Sequence, residues 1–290
     1  MRIMGAMLLL AVLWGLSIPV IKIGLLTIPP LTLTAMRFGL ALPFLLPFVM
    51  GRRRLPWHEL PRVAALGLLG VGIGQVAQTY GIAGTSASVG TIISATIPLF
   101  VVVFAAIRLK HAVSGRQRLG LLAAFLGIVL VAFDGQDASA LQSSKAGAAL
   151  MLLSCITIAF YYVWSVELAS KYGSGPLAAW STFFGFLALV PWAGWEMRHA
   201  PFQITAEGIA AAVYLGAAVT VVGLLLWLHI LRAVPASKAA SVQYLQPVIG
   251  IVASAAIFDD RLGLLFGAGV ALVLSGLALT LTSPARAPAS

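Results

Sequence analysis

Residues 87–109 read ASVGTIISATIPLFVVVFAAIRL, and from Val89 onward this run carries a single charge, Arg108. A membrane-spanning helix needs about 20 mainly apolar residues, so this stretch is long enough to cross a bilayer unaided. Its opening, ASVGTIISATIP at 87–98, returns at 236–247 as ASKAASVQYLQP, with Ala, Ser and Pro in register at a shift of 149 residues. The same shift carries Gly67 onto Gly216, Gly120 onto Gly269 and Gly127 onto Gly276. The early part of each half aligns at a slightly different shift, 146, with 30–39 echoed by 176–185. One spanning helix has thus become part of a duplicated set.

Working outward, ten such runs are found: 4–25, 31–50, 63–82, 89–109, 119–133, 147–166, 177–196, 208–230, 239–258 and 262–281. Five spans per half is an odd number, so the second half enters the membrane from the opposite side. The expected fold is an all-α integral membrane protein of ten transmembrane helices in two inverted five-helix repeats, 1–138 and 139–290, forming one membrane domain. Inverted repeats of this kind place a substrate site near the bilayer midplane between the halves. The long unbroken runs exclude a barrel, whose strands show alternation over about ten residues.

Composition agrees. The chain of 290 residues is 61% hydrophobic and 9% charged, with a mean hydropathy of +1.04, whereas soluble domains carry about 25% charge. The first run has one Arg before it and no A-x-A site, so it reads as a retained span, not a signal peptide. Cys155 is the only cysteine and supports neither a disulfide nor a metal site.

The net charge of +10 would suit nucleic acid, but its distribution gives another reason for it. With the N-terminus inside, Arg2, Arg52, Arg53, Arg54, Arg62, Arg108, Lys110, Arg116, Arg118, Lys171, Arg232, Lys238 and Arg286 fall on the inner side. Only Lys145, Arg198 and Arg261 fall outside. That bias is the positive-inside pattern. It predicts a multi-pass membrane protein with both termini cytoplasmic, and no nucleic-acid partner.

Within the spans, an ionisable residue is costly and marks a functional site by default. Lys22 and Arg37 are the two cations there; each either snorkels to the interface or meets a substrate carboxylate. No carboxylate is expected deep in any span, with Glu196 placed at an outer end. This argues against a pump for lipophilic cations, which needs a buried acid. Neutral polar and aromatic groups are more plentiful. Gln75 and Gln78 share a helix face three residues apart, with Tyr80 beside them; Gln246 lies near Ser241 and Tyr244; Thr91 and Ser94 line the fourth span. Trp14 takes the central place of the first span, Trp164 belongs to an aromatic cluster in the sixth, and His229 near the inner end of the eighth is a candidate for moving protons. Amides and hydroxyls suit a zwitterion's charged groups, and aromatic walls suit an apolar side chain. Gly67, Gly70, Gly74 and Gly81 read as one face for close helix packing, as does the step Gly263–Gly267. Pro19, Pro43, Pro98 and Pro247 read as kink sites.

The run Leu13-Trp14-Gly15 with Lys22, then Arg37-Phe38, then Ala87-Ser88 to Ile97-Pro98 and Ala236-Ser237 to Gln246-Pro247, resembles drug/metabolite transporters of the EamA type. The spaced glycines at 120, 127, 269 and 276 resemble the closing span of each family repeat. The resemblance covers essentially the whole chain, and within the superfamily it is strongest to YddG-type bacterial exporters of aromatic and other amino acids. It implies export of small metabolites from a bacterial cytoplasm, across the inner (plasma) membrane. Where family members often carry a Glu after the fourth and ninth spans, this chain has Lys110-His111 and Asp259-Asp260.

The expectation is an exporter of amino acids, aromatic and other neutral ones among them, and related small metabolites, working by alternating access without a cofactor. Its partners are a small-molecule substrate and the lipid bilayer, and a monomer suffices. An exporter of another small solute (a nucleobase, sugar derivative or neutral drug) and a passive channel are the alternatives. The sequence has no convergent nucleophile, base or metal-ligand set of the kind an enzyme needs.

Overall fold

The structure is a computed structural model that describes residues 2–49, 55–109, 114–133, 141–201, 203–233, 242–260 and 263–281. Regular structure among these is entirely helical. We number the helical rods α1 (Arg2–Gly15 and Ser17–Gly24), α2 (Pro30–Val49), α3 (Leu60–Gly67, π-helical Leu68–Ile73, Gly74–Ala83) and α4 (Ala87–Ser94 and Ile97–Leu109). There follow α5 (Gly115–Phe133), α6 (Leu141–Tyr172), α7 (Ser174–His199), α8 (Ala206–Val213, π-helical Tyr214–Val222, Gly223–Ala233), α9 (Val242–Phe258) and α10 (Leu264–Leu281). Seven of the described rods, α1 to α4 and α6 to α8, are long and apolar enough to cross a membrane. The other three expected spans fall on α5, α9 and α10. Large apolar side chains such as Leu122, Phe125 and Trp192 are exposed around the outside, as a surface facing acyl chains requires.

Four rods depart from regular α-helix near their middles. Pro19 has no N–H for the Gly15 carbonyl; α1 breaks at Leu16, and Ser17 Oγ donates to Trp14 O at 2.6 Å. Pro98 does the same to Ser94; α4 breaks after Ser94, and Thr96 Oγ1 donates to Ile93 O at 2.6 Å. Pro43 and Pro247, also expected as kinks, lie inside unbroken helices. In α3 and α8 the departure is π-helix. Shifting 68–73 by 149 lands inside 214–222, so the two π segments obey the sequence repeat. Such segments are rare and concentrate at functional sites.

Glycines set the closest helix approaches. A Cβ on Gly127 would lie 2.6 Å from the Gly269 carbonyl oxygen, and one on Gly276 would run into that of Gly120. Since 120 pairs with 269 and 127 with 276 at the repeat shift, the α5–α10 contact is reciprocal, like a two-fold interface. The glycines of α3 do not form the single face read from sequence: Gly70, Gly74 and Gly81 meet α6 at Tyr161, Thr157 and Met151, whereas Gly67 meets Ser181 of α7. The π segment between them changes the helix phase. Among the described residues nothing lies within 4 Å of a Cβ placed on Gly267, so that glycine makes no close helix contact there. Gly276→Val should force α5 and α10 apart at a cost of about 1–3 kcal/mol, read as a lowered thermal midpoint of the purified protein. An unchanged midpoint would show that the contact yields freely.

One end of the bundle is tied by hydrogen bonds; we call it distal, since α1 ends there. Lys22 Nζ donates to Ile82 O at 2.9 Å and Thr85 O at 2.6 Å, capping the C-terminus of α3. Cations at helix C-termini meet the negative end of the macrodipole. Lys22 therefore does not line the central cavity. Asp260 Oδ2 accepts from Ser88 N at 3.0 Å and caps α4. Glu196, placed at an outer end from the sequence, does lie at the distal end, but there it is buried. Its Oε2 accepts from Thr32 N (2.8 Å) and Thr32 Oγ1 (2.9 Å), its Oε1 from Tyr80 Oη (2.9 Å). It thereby joins α7 to the N-terminus of α2 and to α3. At the proximal end, Glu167 of α6 pairs with Arg62 (3.0 Å), Lys171 (3.4 Å) and Arg108 (3.7 Å). All are well exposed, so they add little to stability.

Candidate functional site: a central cavity with one cation

The distal half is filled by a core that includes Ile18, Ile21, Ile28, Leu33, Ile82, Ile92, Ile93, Met151 and Leu215. Beneath it, in the middle and proximal half, the rods enclose a cavity of about 660 Å³, within the usual range for small-molecule sites. All four irregular segments border it. The break in α1 presents Trp14, Gly15 and Ser17, and that in α4 presents Ser94, Ala95 and Pro98. The π segments present Gly70 and Val71 on one side, Val219 and Thr220 on the other.

Arg37 is the cation of this cavity. Its Nη1 donates to Gln75 Oε1 at 3.0 Å and its Nε to Thr220 Oγ1 at 3.1 Å. Gln75 lies two residues after the π segment of α3, and Thr220 lies within that of α8, so the guanidinium is held between the two. Thr220 Oγ1 in turn donates to Leu215 O at 2.8 Å, the i to i−5 reach of a π turn. The guanidinium carbon lies 5.2 Å from the Phe38 ring centroid, within cation–π range. Nη2 has no hydrogen-bond partner, and no carboxylate pairs with Arg37, among the described residues. Gln246 Nε2 is buried and also has no partner among the described residues, and its side chain lines the same space.

The rest of the lining is neutral. Gln78, Thr91, Ser94, Tyr161, Tyr162 and Thr182 supply polar atoms; Trp14, Phe38, Val101, Val102, Leu224 and Trp227 supply apolar walls. Trp14 is fixed by donating Nε1 to Val219 O at 3.2 Å and by a tilted contact with Trp227 at 5.8 Å.

Of the residues singled out in the sequence, Trp14, Arg37, Gln75, Gln78, Thr91, Ser94 and Gln246 come together here. Tyr80, Trp164 and His229 do not. Tyr80 is at the distal end on Glu196. Trp164 stacks on Phe160 at 3.9 Å; at about 100° per residue it points well away from Tyr162, which does line the cavity. His229 is exposed, two residues beyond Trp227. Ser241 lies outside the described residues, as does the side chain of Tyr244. Tyr161, Tyr162, Thr182, Thr220 and Trp227 are lining residues not singled out as binding candidates. Tyr161 and Tyr162 belong to the same aromatic cluster of the sixth span as Trp164 and were legible in it; nothing local marks Thr220, since its position depends on the π turn.

The profile of the EamA-like transporter family matches the chain twice, at residues 1–133 and 145–282. An uncharacterized transporter of Archaeoglobus fulgidus is 28% identical over 264 residues, covering 91% of this chain and 93% of its own length. A probable amino-acid metabolite efflux pump of Escherichia coli (strain K12) is 28% identical over 282 residues, 93% of this chain and 91% of that protein. A probable terminal-alkyne amino-acid exporter of Streptantibioticus cattleyicolor is 25% identical, covering 86% and 83%. A solved crystal structure, 16% identical, superposes with a TM-score of 0.63 over 96% of both chains, which shows a shared fold.

Proposed function

The chain belongs to the EamA-like transporter family and is a multi-pass membrane transporter, and on that premise we propose that it exports amino acids and related small metabolites by alternating access between two inverted five-helix repeats. The observation that carries the substrate reading is Arg37, an acid-free cation in a central cavity otherwise walled by neutral polar and aromatic groups. A carboxylate fits the guanidinium through charge-assisted hydrogen bonds, and an apolar side chain fits Trp14 and Trp227. The names of two relatives, an amino-acid metabolite efflux pump and an amino-acid exporter, point the same way. Two further observations support the mechanism: the reciprocal α5–α10 contact and the paired π segments follow the repeat, and the cavity lies proximally beneath a closed distal end. With the basic residues setting the proximal end in the cytoplasm, this is the inward-facing half of the cycle.

The test is counterflow of labelled phenylalanine, threonine and methionine into preloaded proteoliposomes at equal pH on both sides. Saturable transient accumulation is expected, because a carrier exchanges solute across one alternating site. Flux that neither saturates nor shows counterflow would identify a channel, and no flux of any of the three would reject amino acids as substrates.

A further inference from the structure

We infer that the cavity recognises its substrate by the carboxylate alone, and that the preferred solutes are monocarboxylates without a free ammonium group: deaminated, 2-oxo, 2-hydroxy or N-acylated amino acids. This rests on the transporter reading above and narrows it. The argument is one of charge. Arg37 places one positive charge at the middle of the protein. Of the chain's eight acidic residues, Asp134 and Asp137 lie outside the described residues. The other six are accounted for and none lines the cavity: Glu196 and Asp260 cap helices at the distal end, Glu59 and Glu167 pair with proximal basic residues, and Glu207 and Asp259 lie at rod ends.

A zwitterion entering this space leaves the net charge at plus one. Its carboxylate satisfies Arg37, but its ammonium then needs a partner of its own and finds only neutral oxygens. A monocarboxylate brings the net charge to zero. Burying a charge without a counter-charge is costly, whereas a paired and hydrogen-bonded one is tolerated. Two lining groups without a hydrogen-bond partner among the described residues, Arg37 Nη2 and Gln246 Nε2, are donors available to a substrate. Donors satisfy a carboxylate's oxygens and do nothing for an ammonium.

The experiment compares three probes that differ only in these groups: 3-phenylpropanoate, phenylalanine and phenethylamine. Binding to the purified full-length protein is read by calorimetry, and competition by inhibition of labelled phenylalanine counterflow. We expect 3-phenylpropanoate to bind at least threefold more tightly than phenylalanine, and phenethylamine to bind at least thirtyfold more weakly than 3-phenylpropanoate. Gln246→Leu should weaken 3-phenylpropanoate about fivefold and leave phenethylamine unchanged. Arg37→Gln should abolish the preference for the acid; should it not fold, the Gln246→Leu comparison and the three-probe order decide alone. Tighter binding of phenylalanine than of 3-phenylpropanoate overturns the inference and leaves an amino-acid carrier in place. Binding of none of the three overturns both.

Discussion

Arg37→Gln should raise the KM for a transported carboxylate by about ten- to a hundredfold while the protein still folds and inserts. A hydrogen bond to a charged group contributes about 1.5–3 kcal/mol, and each 1.4 kcal/mol is about a tenfold change. Gln keeps a donor near Gln75 and Thr220 but carries no charge. Arg37→Lys should recover only part of the loss, because a single ammonium cannot hold Gln75, Thr220 and a substrate oxygen in one plane as the guanidinium fork can. Lys22→Ala is the informative control. That side chain caps α3 and should affect thermal stability with little change in KM. A wild-type KM in Arg37→Gln would take Arg37 out of the site.

Glu196→Ala is expected to be the most destabilising substitution of a polar residue described here, at about 2–4 kcal/mol. It removes the acceptor for the Thr32 backbone N–H, the Thr32 hydroxyl and the Tyr80 hydroxyl together, and a buried donor left unmade costs about 1–3 kcal/mol. Tyr80→Phe removes one donor and leaves no orphan on its own side, so it should cost about 1 kcal/mol. Thermal unfolding of the purified protein, followed by tryptophan emission, reads both. Equal midpoints for the parent and Glu196→Ala would mean that another acceptor replaces the carboxylate.

The spans and the family were legible because hydropathy over 20 residues and a repeat over 149 are sums over many positions, insensitive to local detail. Seven of the twelve candidate site residues reach the cavity for a related reason: polar groups within apolar runs turn away from lipid toward the interior. Regularity fails where the site is most elaborate. Helical spacing carried through residues 68–73 joins Gly67 to Gly70 on one face, whereas the π segment sends them to different partners. Thr220 became a contact of Arg37 through the same kind of turn in α8. The end of the bundle on which Glu196 lies was legible, but its burial was not, because only the folded chain brings Thr32 and Tyr80 to it. The partners of Lys22, carbonyls in the last turn of α3 and just beyond it, could not be read from the sequence, because they depend on how α1 and α3 meet.

The two π segments bear on which length changes the chain can absorb. A π turn holds more residues than the α-helical turn that could replace it. Losing one residue within 68–73 or 214–222 can therefore close the wide turn and leave the rest of the rod in its original phase. A loss at the same depth in α2 or α7, which are regular throughout, turns everything downstream by about 100° and brings lipid-facing leucines into the interior. Single-residue gaps in this chain's relatives should therefore cluster in the third and eighth rods. A relative that has lost the surplus residue would keep its membrane topology and helix packing, but Gln75 or Thr220 would no longer flank the arginine.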